Sequence, residues 1–219
     1  MLLQIGQTTP DFEAETTSGH IRFHDYIDGH WAMLVSHPKN FTPVCTTELG
    51  SMAKMKPDFD KRGVKMLAIS VDSVPDHNKW KQDIKDVSGA DVSYPMIGDP
   101  DLKIAKLYNM LPADADGNAN SRNAADNATV RNVFIIGPDK KIKMIMVYPM
   151  STGRNFHDIL RVIDSLQLSA KDQVATPANW KQGDDVIIMG SVSDEAAKVK
   201  FPQGWKTPKP YMRVVKQPT

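Results

Sequence analysis

The chain has 219 residues, enough for one full domain and a smaller appendage. Hydrophobic residues make up 41% and charged residues 24%, and 27 basic against 26 acidic side chains leave a formal net charge of +1. That balance gives no electrostatic reason to expect nucleic acid or a membrane surface as partner, and no apolar run reaches the ~20 residues that would cross a bilayer. The opening MLLQIGQTTPDF lacks the basic start and apolar core of a signal peptide, and the single cysteine asks for no oxidising compartment, so the expected address is cytoplasmic.

In chain order, the first apolar run is WAMLVS (31–36), followed by a helical stretch, TELGSMAKMKPDFDKRG, expected to be interrupted near Pro57. A second strand, VKMLAISV (64–71), precedes two helices, DHNKWKQDIKDVS and DPDLKIAKLYNM, opened by Asp or Pro. The small, polar segment PADADGNANSRNAADNA (112–128) reads as a surface loop. Then TVRNVFII (129–136) and KIKMIMVY (141–148), joined by GPDK, read as an antiparallel hairpin. Phe156, Ile159, Leu160, Ile163 and Leu166 fall at helical spacing on one face. The alternation predicts an α/β fold, helices around a mixed sheet, over residues 1–169. From residue 170 to 219 the chain turns rich in Pro, Gly and Trp, with one strand (DVIIM) and one helix (SDEAAKVKF) expected. This tail is small for a core of its own and is expected to pack on something larger.

Cys45, the only cysteine, lies in HPKNFTPVCTTELG, just after the first strand. Thr42 suits an N-cap and Pro43 the first helical position, which puts Cys45 in the first turn. There the helix dipole and free backbone N–H groups favour thiolate, and strand-to-helix loops at the carboxyl edge of an α/β sheet are where ligands bind. A lone cysteine is more often a small buried hydrophobe, but this position argues for chemistry. Arg131 adds to that argument: a guanidinium within an apolar strand needs a buried anion. Glu48 is the ordinary partner and a Cys45 thiolate an equally good one; the two are compatible.

These residues resemble the peroxiredoxins. Pro38, Thr42 and Cys45 reproduce their Pro-x-x-x-Thr-x-x-Cys signature, and HPKNFTPVCTTELG is similar to the one-cysteine class. RNVFIIGPDKKIK, YPMSTGRNFHDILRVIDSLQL and VATPANWKQGDDV extend the likeness along nearly the whole chain. The resemblance implies a thioredoxin-like peroxidase domain (1–169) with a C-terminal extension (170–219), and a thiol-dependent peroxidase needing no cofactor or metal. Cys45 would be the peroxidatic nucleophile and Thr42 would donate its hydroxyl to a peroxide oxygen. Pro38 would shield the thiolate, Arg131 would favour it and orient the peroxide, and His37, Glu48 and Arg154 would hydrogen-bond around them. Hydrogen peroxide and organic hydroperoxides would be substrates. With no second cysteine, the sulfenic acid would wait for an external thiol or ascorbate. A homodimer or higher homo-oligomer is expected.

The six histidines show no metal-ligand spacing, and the twelve methionines read as core and interface filler. Some members of the class are credited with a phospholipase activity resting on a Gly-x-Ser-x-Gly serine. Here DGHWA places His30 where that serine would be, although His24 and Asp139 match the other positions, so the nucleophile of that activity is missing. The contrasting reading is a non-enzymatic thioredoxin-like binding module or holdase-type chaperone, which would need none of the Pro38–Thr42–Cys45 geometry.

Overall fold

The chain opens with a hairpin that its periodicity does not announce: β1 (Glu13–Thr16) and β2 (Gly19–Arg22) pair antiparallel, followed by one turn of helix, α1 (Phe23–Tyr26). The computed structural model describes residues 2–113 and 128–218; residues 114–127 of the loop expected over 112–128 lie outside the described residues. Next come β3 (Trp31–Ser36), α2 (Pro43–Asp60), β4 (Val64–Ser70) and α3 (Val74–Ser88). After them follow β5 (Met96–Gly98), α4 (Lys103–Leu107), β6 (Arg131–Ile136) and β7 (Ile142–Tyr148).

The seven strands form one mixed sheet in the order β2-β1-β5-β4-β3-β6-β7. β3, β4 and β5 run parallel, while β6 and β7 return antiparallel as the expected hairpin. Every residue of β6 and nearly every residue of β3 and β4 is buried, as near-continuous apolar strands require. Leu34, Leu67, Ile69, Ile97, Phe134 and Ile136 join Phe23 and Tyr108 in the core beneath.

Two helices differ from the sequence expectation. α2 runs unbroken through Pro57, because the proline sits in the last turn, where its missing N–H frees only the Ala53 carbonyl. The helix expected over 99–110 shrinks to α4, whose first N–H groups are taken by the buried Asp99 carboxylate: Ile104 N at 3.2 Å and Ala105 N at 2.7 Å. α3 begins at Val74, since Ser73 Oγ caps the Asp76 N–H, and ends where Gly89 takes φ 74°.

The chain divides into two compact units, Met1–Arg154 and Asn155–Thr219. The second contains α5 (Phe156–Asp172), β8 (Val174–Ala175), β9 (Val186–Ile188), α6 (Asp194–Lys200), β10 (Lys206–Lys209) and β11 (Met212–Val215). Asn155 caps α5 by accepting from the His157 and Asp158 N–H groups. The last four strands form a second sheet, β10-β11-β9-β8, where only one strand was expected. Trp180, Val186, Ile188, Ala197 and Phe201 close a small core with Leu168 of α5, so the tail buries Trp180 within its own unit. Among the described residues no helix is long and apolar enough to cross a membrane.

In the first unit, β3 ends where β6 begins. That sheet edge carries the loop 37–42 and the start of α2 on one side and Arg131 on the other.

Candidate active site

The backbone delivers the thiol to this edge. Phe41 takes φ 54°, a left-handed conformation unusual for a bulky residue. Thr42 is then extended (φ −120°, ψ 146°) and Pro43 begins α2, so Cys45 lies in the first turn with its side chain wholly buried. Thr42 holds the N-cap position without capping: its hydroxyl donates to the Lys39 carbonyl at 2.8 Å. The N–H groups of Val44 and Cys45 have no carbonyl four residues back and no side-chain cap from Thr42.

Arg131, 2% exposed, reaches the sulfur: Nη1 donates to Cys45 Sγ at 3.3 Å and to Glu48 Oε2 at 2.6 Å. Its Nε and Nη2 both donate to the Met150 carbonyl. Glu48 lies one helical turn beyond Cys45 and is 3% exposed. Its Oε1 accepts from Arg154 N and Nε, and Oε2 from Arg154 Nη2, each at 2.8 Å. Arg154 Nη1 donates to the Asn132 carbonyl at 2.8 Å. Both partners weighed for Arg131 are therefore present together. Two buried guanidiniums face the Glu48 carboxylate, and an anionic sulfur would give Arg131 a second buried anion.

His37 follows β3 directly and is fully buried. Extending the β3–β6 register (Val35 opposite Val133) by two residues sets His37 across from Arg131, and Thr129 Oγ1 donates to the His37 carbonyl at 2.9 Å. His37 Nε2 lies 3.0 Å from Asn40 Oδ1, Asn40 Nδ2 lies 2.9 Å from His77 Nδ1, and His77 Nε2 lies 3.0 Å from the Ile97 carbonyl. His37 Nδ1 has no partner, and neither does Trp80 Nε1 in the ring 5.4 Å away. Burial holds the His37 imidazole well below its ordinary range, with His77, Arg154 and Arg131 pushing the same way against the Asn40 hydrogen bond. Burial also lowers His77. Pro38 is buried in the same loop.

The AhpC/TSA family model matches residues 5–145, and the model for the C-terminal domain of 1-Cys peroxiredoxin matches residues 165–205. The chain belongs to the AhpC/TSA family, in its one-cysteine peroxiredoxin class. It is 48% identical over 216 residues to a 1-Cys peroxiredoxin of Dictyostelium discoideum, covering 99% of this chain and 86% of that one. It is 49% identical to the mitochondrial peroxiredoxin PRX1 of Saccharomyces cerevisiae, over 98% and 81%. The crystal structure of a cysteine-to-serine variant of peroxiredoxin 6 from Arenicola marina superposes with a TM-score of 0.89 at 45% identity, covering 99% of both chains. The fold is thus the thioredoxin-like fold of the peroxiredoxins with a C-terminal extension. This peroxiredoxin is a thiol-dependent peroxidase, an enzyme rather than a bare binding module.

All seven residues singled out in the sequence lie in the first unit, and hydrogen bonds join Cys45, Arg131, Glu48 and Arg154 into one cluster. Asn40 and His77 were not singled out. Their signal was faint: an asparagine in a turn and a histidine in a polar helix look like surface residues. The residues of the hydrolase resemblance each have other partners. His24 Nε2 lies 2.8 Å from the Thr9 carbonyl, His30 Nδ1 lies 2.6 Å from the Asp28 carbonyl, and Asp139 accepts from Lys143 Nζ at 2.7 Å. Among the described residues no group of three or more His, Cys, Asp or Glu could hold a metal ion.

The two neutral histidines make stability pH-dependent. Their folded pKa values lie below the ordinary 6.5, so the unfolded chain binds more protons and acidification favours unfolding. Stability should fall as pH drops below that value, with a slope of at most about 1.4 kcal/mol per pH unit for each histidine. Urea melts between about pH 7 and pH 5 measure it. His77→Gln should flatten the dependence, and a wild-type midpoint that ignores pH would contradict the assignment.

Proposed function

We propose that Cys45 is the peroxidatic nucleophile and that the residues around it divide the work of one displacement at oxygen. The observation that carries this is the Arg131 Nη1–Sγ contact, made by a buried guanidinium that Glu48 holds beside Arg154. The sulfur anion attacks the terminal oxygen of a hydroperoxide; an S–O bond forms and the O–O bond breaks. Sulfur gives up two electrons to the departing oxygen, which leaves as alkoxide or hydroxide and takes a proton from solvent. Arg131 and the uncapped N–H groups of the first turn meet that developing charge. Thr42 is at the mouth, its proton directed to Lys39. On turning from Lys39, that hydroxyl donates to the departing peroxide oxygen. Pro38 covers the sulfur, and Glu48 with Arg154 holds Arg131 in place. His37, neutral and opposite Arg131, offers Nδ1 to the O–H of the sulfenic acid.

The product Cys45–S–OH meets no second cysteine in this chain. An external thiol attacks its sulfur, releasing water and leaving a mixed disulfide, which a second thiol then opens. A small thiol or ascorbate would serve. The yeast mitochondrial 1-Cys peroxiredoxin, 48% identical to this chain, is a protein whose thiol is resolved through glutathione and thioredoxin systems, which supports a thiol. We keep the peroxidase domain at 1–169 and the extension at 170–219 on the turn to Pro-, Gly- and Trp-rich sequence at about residue 170. The protein is at least a homodimer in this reading: β7 is an outer strand with β6 on one side only, and Val147 on it is 58% exposed. Light scattering should show more than the 24.4 kDa chain at micromolar concentration; a monomer would refute the dimer.

Stopped-flow oxidation tests the site. Cys45→Ser should abolish rapid peroxide consumption. Thr42→Val should slow the bimolecular step on the order of 10²-fold, as loss of an oxyanion-type partner does, while Thr42→Ser keeps the hydroxyl and stays mild. Equal rates for the Val and Ser variants would reduce Thr42 to a backbone role.

Peroxide titration followed by intact-mass spectrometry tests the one-cysteine cycle. Without reductant, oxygen should add to Cys45 in steps, through sulfenic to sulfinic and sulfonic acid, with activity lost in parallel. A small thiol added first should instead trap the mixed disulfide. Unmodified protein while peroxide disappears would place the chemistry elsewhere.

A further inference from the structure

We propose that Asn40 and His77 are positioning residues of the peroxidase site: they lock the proton of His37 on Nε2 and so keep Nδ1 a bare acceptor. The proposal rests on the reading of Cys45 as nucleophile and extends it to two residues with no contact to the sulfur.

The direction of the hydrogen-bond chain follows from its far end. The Ile97 carbonyl can only accept, so His77 Nε2 must carry a proton. Neutral His77 then presents a lone pair at Nδ1, and the Asn40 group facing it must be the NH2. The Asn40 carbonyl oxygen is thereby turned to His37, where it can only accept. His37 must therefore hold its proton on Nε2. The remaining nitrogen, Nδ1, is buried without a partner. Reversing the chain would aim two lone pairs at each other at Ile97, or would require a charged His77 inside the protein. Burial, His77, Arg154 and Arg131 oppose protonation of His37, against the Asn40 hydrogen bond. Around His77, Asp72 and Asp76 favour a proton while burial and Lys81 oppose it.

Asn40 is itself held. Its backbone N–H donates to Asp72 Oδ2 at 2.8 Å, and Ser70 Oγ donates to the same oxygen at 2.8 Å. The loop bearing Pro38 and Thr42 is thus tied to the ends of β4 and α3.

The lock matters because of proton bookkeeping in the oxidation. The hydrogen on the transferred oxygen stays with that oxygen, as HO–O–R before the step and Cys45–S–O–H after it. One fixed acceptor therefore suits substrate and product alike. With the proton on Nδ1, His37 would present a donor to an O–H that needs an acceptor. Tautomer control by a second residue is the logic of a carboxylate behind a catalytic imidazole; here an amide and a second imidazole supply it.

The test combines histidine 15N NMR on the reduced, full-length protein with stopped-flow oxidation by hydrogen peroxide. His37→Gln and His77→Gln assign the two rings by loss of signal. Wild-type His37 should be neutral with its proton on Nε2. Asn40→Leu removes the acceptor, so His37 should lose its single tautomer and Cys45 oxidation should slow about tenfold, as for other outer-shell losses. Asn40→Asp keeps an acceptor for His37 but presents no donor to His77. His37 should keep its tautomer, His77 should gain a second proton, and the rate should stay near wild type. A wild-type proton on Nδ1 overturns the proposal, as does an Asn40→Leu protein that reacts at full speed. Equal slowing in the Leu and Asp variants overturns it too, since that marks a merely structural role. If Asn40→Leu fails to fold, a singly protonated His77 in Asn40→Asp overturns it instead. The tautomer is read without peroxide, so slow oxidation of the wild type would overturn the reading of Cys45 separately.

Discussion

The carboxylate of Glu48, held between two buried arginines, is the contact on which the catalytic edge depends. It joins α2 to β6 through Arg131 and to the segment after β7 through Arg154. A buried pair of this kind is weak evidence for stability, because desolvating the ions offsets much of their attraction. What it does well is fix geometry. Breaking it from one side leaves an uncompensated charge, so the three side chains stay in register with one another and with the sulfur one helical turn away. The bonds that hold the helix to the sheet are the same bonds that set the charge around Cys45.

Burial of the sulfur imposes a second constraint. A small peroxide can be oriented within a closed site, and exclusion of water strengthens every polar contact made there. A thiol reductant must instead bring its own sulfur in line with the S–O bond of a side chain that is wholly covered. A thiol reductant therefore asks for more room around the first turn of α2 than a small peroxide does. The loop before that turn carries Phe41 in a left-handed conformation, which is costly for a bulky residue.

Much of this was legible in the sequence where physics is local. The Thr-Pro pair put Cys45 in a first helical turn, and a guanidinium in an apolar strand demanded an anion, with Glu48 and Cys45 both open as partners. The central strands were legible because both faces are covered and the runs are nearly pure. β1, β2, β5 and three of the four strands of the second sheet were not, because strands of two to four residues carry too little pattern to stand out; β9 alone was read, in DVIIM. Pro57 suggested an interruption that its place in the last turn makes unnecessary. Asn40 and His77 were illegible for a different reason. They are 37 residues apart, and only the β4–α3 connection brings them together; nothing in either local segment marks a buried amide or imidazole.

The histidine pair and the arginine cluster are two parts of one electrostatic arrangement. With His37 and His77 neutral, the buried positive charge beside the thiol is that of two arginines, which face Glu48 and, through Arg131, the sulfur. A proton on His37 would add a further positive charge to that buried cluster. It would also convert the acceptor at Nδ1 into a donor. Burial is the main reason His37 stays uncharged, and the arginines beside the sulfur push in the same direction. The site thus holds its charge count and its hydrogen-bond polarity by a common means, and burial of the whole cluster is what makes that means effective.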